Sequence, residues 1–176
     1  MENFTMKELI VIDHDITKPI GSGYKLIIHV VNDQGKMGSG VAKSLFTRWP
    51  RVREEYLGWF NKNEDDTHVP FELGQTQFVI CNENIMFDDI VVANMVAQHM
   101  IGSDENGLPP IRYKALKQCL DTCADYAIRF GFSIHLPYMM GADRARGDWD
   151  IIMGMIRNSI CKKDINTTIY RHMQKD

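Results

Sequence analysis

Gly35, Gly38 and Gly40 fall within six positions, between an apolar run and residues at helical spacing. Glycine leaves backbone N–H groups open to close approach, and a helix N-terminus adds partial positive charge. Together these favour an anion, typically a phosphate. The same glycines also suit a plain strand-to-helix turn, and this stretch alone leaves both readings open. It is not a Walker A loop, because Lys43 sits inside the helical pattern. It is not the dinucleotide fingerprint, because GxxGxG replaces GxGxxG.

A second loop, YMMGADRARGDW, also lies after a strand pattern and before a helical one. Two such loops side by side would clamp a diphosphate. Two titratable side chains stand where hydrolytic chemistry would need them. Histidine is the residue type suited to acid–base work near neutrality, and His99 opens the long loop QHMIGSDENGLPP. It is the first candidate for nucleophile or base, against the alternative of a surface histidine. Asp148 is the candidate general acid or base, and it equally suits the cap of the next helix. His29 and His135 lie mid-strand and read as satisfied core histidines. Cys81, Cys119, Cys123 and Cys161 lack CxxC spacing, so buried reduced thiols are expected and no metal or cofactor is.

The elements that position these residues follow from periodicity. Residues 8–12, 24–31, 75–81, 90–96, 132–136 and 166–170 read as strands. The pair 75–81 and 90–96 reads as a hairpin, with a turn at 82–84. Helices are expected from Gly40 to about Arg48, over 50–60, over 111–130 and after Asp148. Pro50 ends the first of these and suits the first turn of the second. Gly131 suits the C-cap of the third. Val52, Tyr56, Trp59 and Phe60 form one expected buried face. A longer stripe runs from Ala115 through Leu116, Cys119, Leu120, Cys123 and Ala127 to Phe130. Ile151, Ile152, Met155 and Ile156 form a third. Residues 61–67 read as a solvated acidic loop and 171–176 as a tail.

Helices between most strands imply an α/β fold, a three-layer α/β/α sandwich with a central mixed sheet. The 176 residues suffice for one domain with one core. Hydrophobic residues make up 44% and charged residues 24%, an ordinary globular composition. The net charge of −3 gives no bulk attraction to nucleic acid or to an acidic membrane. No apolar run reaches about 18 residues and the N-terminus lacks a signal pattern, so a cytoplasmic, reduced setting is expected.

With both loops in place, the sequence resembles a macro domain, the ADP-ribose-binding fold, over residues 8–170. DITKP, IIHVVNDQGKMGSGVA, RWPRVREEY, PPIRYKALKQCL and HLPYMMGADRARGDW carry the resemblance. It is most similar to the branch holding the yeast ADP-ribose-1″-phosphate phosphatase and the terminal ADP-ribose glycohydrolases, viral members included. The resemblance implies a small-molecule ligand, ADP-ribose or a derivative, and an ADP-ribosylated protein as a possible partner. It implies a hydrolase acting on ADP-ribose-1″-phosphate or ADP-ribosyl esters, or else a non-catalytic binder or sponge.

By the same resemblance, Asp15 faces adenine with Ile16 beside it, and Asn32 orients the distal ribose. Met37, Gly38, Ser39, Gly40, Val41 and Ala42 form the first phosphate loop. Gly141, Ala142, Asp143, Arg144, Ala145, Arg146 and Gly147 form the second. A histidine in the region of His99 serves as nucleophile in the phosphatase branch. The chain also departs from the family pattern. His14 stands where glycine usually precedes the acidic residue. Asp143 and Arg146 stand where glycine is expected, in a loop one residue longer. A carboxylate at Asp143 would repel phosphate, and Arg144 and Arg146 would offset it. By the resemblance, the place of the glycohydrolase lysine falls at Met95, which removes the lysine-adduct route.

Overall fold

The computed structural model describes residues 9–62, 69–81, 90–102 and 107–172. The expected turn over 82–84, most of the acidic loop and the end of the tail lie outside these residues. Among the described residues six strands form one sheet: β1 (Leu9–Ile12), β2 (Lys25–Asn32), β3 (Thr76–Ile80), β4 (Ile90–Gln98), β5 (Ser133–Pro137) and β6 (Thr167–Tyr170). Their order is β1-β6-β5-β2-β4-β3. Neighbours are parallel except β3 and β4, which pair antiparallel as the hairpin pattern anticipates.

Among the described residues four α-helices accompany the sheet: α1 (Gly40–Arg48), α2 (Arg51–Phe60), α3 (Tyr113–Phe130) and α4 (Trp149–Ser159). Strand β2 explains the layering. Leu26 and Ile28 point into a core shared with α3 and α4, while Ile27 and Val31 point into a core shared with α1 and α2. A strand covered on both faces reads as a continuous apolar run, which is why no alternation marks it. The result is the expected three-layer arrangement around a mixed sheet.

Some packing differs from the sequence reading. Phe130 and Ile151 are about half exposed, at 51% and 49%. Phe130 is the last residue of α3 and lies against Tyr126 at 4.8 Å between ring centroids. Ile151 is roughly 100° round α4 from the buried Ile152. Phe60 is also partly exposed, but its ring covers Gly35, where an added Cβ would lie 2.3 Å from it. Helix α3 starts at Tyr113 rather than at Ile111. The Ile111 N–H donates to Ala145 O at 3.1 Å, and Ile111 bridges to Gln98, so its backbone extends the sheet.

Gly131 closes α3 with φ 76°, in the left-handed region expected of a C-cap glycine. The four cysteines are free thiols. Burial pushes the Cys119 thiol up to about 11, and burial with the neighbouring Cys119 raises the Cys123 thiol well above its ordinary value. Among the described residues no helix is long and apolar enough to cross a membrane.

Candidate functional site

Because β2, β4 and β5 are parallel neighbours, their C-terminal ends open on one edge of the sheet. Ligands of open α/β sheets bind along such an edge. A cleft of about 260 Å³ lies there, between the loop after β2 and the loop after β5. His29, Val30 and Val31 contribute to its floor.

The first loop is held by its own side chains. Asn32 Oδ1 accepts from the N–H groups of Gln34 at 3.0 Å and Lys36 at 3.2 Å, and Asn32 Nδ2 donates to Lys36 O at 2.6 Å. The Tyr56 hydroxyl donates to Asn32 O at 2.7 Å. Arg53 Nε donates to Met37 O at 2.9 Å. These bonds fix the turn that leads into α1, whose first N–H groups have no partner within the helix. Ser39 occupies the N-cap position of α1 yet makes no side-chain cap bond.

The second loop folds back on itself. Ala142 N–H donates to Met139 O at 2.8 Å, and Gly147 N–H donates to Gly141 O at 2.8 Å. Arg144 reaches out of this loop, and its Nη1 donates to Ser39 Oγ on the first. A Cβ added at Gly40 would lie 3.5 Å from Arg144 Nε. The two glycine-bearing loops therefore meet across one cleft.

Asn32, Met37, Gly38, Ser39, Gly40, Val41 and Ala42 line the cleft from one side, and Gly141, Asp143, Arg144 and Ala145 from the other. The remaining expected residues are not among its lining. Asp15 forms an Asx turn, its Oδ1 accepting from Thr17 N–H at 2.9 Å and Thr17 Oγ1 at 2.8 Å. Burial raises the Asp15 pKa, but the Thr17 bonds outweigh it and hold the carboxyl below its ordinary value. Ile16 is buried with the α1–α2 core. Gly147 sits at the base of the second loop, and Arg146 is exposed with φ 55°. Asp148 Oδ1 caps α4, accepting from Asp150 N–H at 2.9 Å and Ile151 N–H at 3.3 Å. His99 lies next to cleft residue Gln98, and its Nδ1 is 2.6 Å from Asp33 Oδ2.

By the resemblance, Met95 takes the place of the glycohydrolase lysine. Met95 is fully buried in the α3–α4 core, so it does not face the cleft. Gln98, at the end of β4, lines the cleft instead. Lys36, Ile101, Tyr138, Met139 and Met140 line it too, none of them singled out from the sequence. The last three belong to the quoted second loop, which was the available signal. Gln98 and Ile101 belong to the long loop QHMIGSDENGLPP, in which only His99 was singled out.

His29 is buried, with Nε2 2.5 Å from Asn94 Oδ1. Burial lowers its pKa to about 4, against the opposing effect of the Asn94 bond. His135 is lowered to about 4 by burial and then by the positive charge of Lys25. Neither is a base poised for neutral pH. Trp149 packs edge-on against Tyr138, with centroids 5.5 Å apart. Among the described residues, no three His, Cys, Asp or Glu side chains gather as a metal set.

No protein-family model matches the chain, and no curated protein does. Solved structures do. A Bacteroides thetaiotaomicron protein of unknown function superposes with a TM-score of 0.83 at 38% identity, covering 94% of this chain and 98% of that one. A macrodomain protein from Streptomyces coelicolor superposes with a TM-score of 0.76 at 31% identity, covering 94% of this chain and 100% of its own. The chain belongs to the macrodomain family. A more distant macrodomain likeness is to Thermosipho africanus DarTG, solved in complex with ADP-ribose. The TM-score there is 0.70 at 17% identity, over 99% of this chain and 44% of that one, so it speaks for the fold alone.

Proposed function

We propose that the cleft binds ADP-ribose or a derivative, with the diphosphate between the Gly38–Ala42 stretch and the Gly141–Arg144 stretch. The contact of Arg144 with Ser39 carries this reading, because it brings both glycine loops to one opening. DarTG, which shares the fold, has been solved with ADP-ribose bound. Calorimetric titration with ADP-ribose tests the proposal. Absence of binding at millimolar ligand would defeat it.

A hydrolase reading rests on a separate observation, the His99–Asp33 pair at the rim. In this reading His99 takes a proton from a water that attacks the 1″-phosphoryl phosphorus, or attacks it directly to give a phosphohistidine that water then hydrolyses. The P–O bond to the ribose breaks, the ribose oxygen leaves as a hydroxyl, and Asp33 stabilises the positive charge on the imidazole. The substrate is ADP-ribose-1″-phosphate or an ADP-ribosyl ester, as in the branch the sequence most resembles. An ADP-ribosylated protein is the partner that an ester substrate would bring. Phosphate release from ADP-ribose-1″-phosphate by the wild type, lost in His99→Ala, is the expected result. Binding without release in the wild type would leave a non-catalytic binder.

A further inference from the structure

The geometry points to Arg144 as a specificity-determining residue, a guanidinium clamp that exchanges the Ser39 hydroxyl for a phosphoryl oxygen when ligand binds. The inference rests on the ADP-ribose reading and adds the charge selection that the sequence of the second loop provides. Arg144 is exposed, and it spans the opening from the second loop to the first. Among the described residues no carboxylate pairs with it; its partner is the neutral hydroxyl of Ser39. Asp143, the adjacent residue, lines the same cleft without neutralising it.

A guanidinium carries five donors in a planar fork, and a hydroxyl satisfies only part of it. A phosphate offers charged acceptor oxygens that match the fork in pairs, and such bonds are about twice as strong as neutral ones. The exchange of Ser39 for phosphate is therefore downhill for Arg144. It also counters the repulsion that Asp143 exerts on a diphosphate. Lys36 lines the same cleft. A cleft built this way selects nucleotides by their phosphoryl charge, and a nucleoside without phosphate gains nothing from Arg144.

The test is calorimetry with ADP-ribose on the whole chain, for the wild type, Arg144→Ala and Arg144→Lys, at low and at raised salt. The alanine variant is expected to bind on the order of tenfold more weakly, and its affinity should depend less steeply on salt. Lysine keeps the charge without the fork and should fall between the two. Alanine binding within twofold of the wild type would overturn the inference. So would a tenfold loss at an unchanged salt slope, since shape rather than charge would then be at work. Failure of the wild type to bind ADP-ribose removes the underlying reading and the inference with it. Binding that ignores Arg144 removes the inference alone.

Discussion

His99 Nδ1 stands 2.6 Å from Asp33 Oδ2, although the two residues are 66 positions apart. Asp33 follows β2 and His99 follows β4, so the pair ties the ends of adjacent strands. Asp33 Oδ1 also accepts from the Met100 N–H at 2.8 Å. Burial raises the Asp33 pKa, but the bonds from Gln34, Met100 and His99 prevail and hold it below its ordinary value. A depressed carboxylate stabilises the fold above the ordinary range and loses that contribution as pH falls through the lowered folded value. Asp33→Asn is thus expected to cost about 1 kcal/mol at neutral pH. The gap from the wild type should close as pH drops below about 3.9. Urea unfolding at neutral and acid pH measures it, and a gap that persists in acid would contradict the assignment.

Asp148 gives a clean separation of two roles. Its carboxylate caps α4 through two N–H groups. Asparagine caps nearly as well as aspartate, whereas alanine does not. Asp148→Ala should therefore lose about 1 kcal/mol of stability. Asp148→Asn should keep both stability and turnover. A large fall in turnover for the asparagine variant, with its thermal midpoint intact, would instead assign the carboxylate to chemistry.

Element type was legible in this chain because the signals were local. Pro50 and Gly131 punctuate helices by backbone geometry, and Asp148 does so by side-chain bonds to the first N–H groups of α4. The two loops were legible as a pair because each carries glycines between a strand pattern and a helical one. Which loop residues face the cleft was not legible. Ala142 and Ala145 are the same residue type in one loop, yet only Ala145 lines the opening. The Ile111 bond to Ala145 that turns the loop is a tertiary contact, and no pattern in the loop announces it. Met95 and Gln98 illustrate the same limit. Three positions along a strand reverse the side chain's face, and the strand's end moves it from core to rim.

Gly147 and Gly38 look alike in sequence and differ in consequence. A Cβ on Gly147 would lie 2.5 Å from Gly141 O and 2.9 Å from Ile152 Cδ1. The first of these is backbone, so the loop itself must shift. Gly147→Ala is expected to destabilise the fold by about 1–3 kcal/mol. A Cβ on Gly38 meets nothing within 4 Å. Gly38→Ala should fold normally while crowding the cleft and weakening ADP-ribose. Thermal unfolding and calorimetry on both variants check this. Equal loss of stability in the two would remove the distinction.

The buried histidines set the acid limit of the fold. Ile20 N–H donates to the Tyr170 hydroxyl at 3.0 Å, and that hydroxyl stands 2.6 Å from His135 Nδ1. His135 Nε2 then donates to Ser133 Oγ at 2.8 Å, and Ser133 donates to Tyr24 O at 3.2 Å. With Nδ1 accepting from the Tyr170 hydroxyl, this chain is complete with His135 neutral. His29, donating Nε2–H to Asn94, is likewise held neutral. Both side chains protonate at about 4 in the fold, against an ordinary value of 6.5. Between those values the unfolded chain binds more protons, so stability rises with pH and is lost as pH falls through the window. Each histidine contributes at most about 1.4 kcal/mol per pH unit there. His29→Gln keeps a donor for Asn94 and removes one titration. Its unfolding free energy should fall roughly half as steeply as the wild type's between neutral pH and about 4.5. Parallel curves for the two proteins would show that His29 is protonated as easily in the fold as outside it.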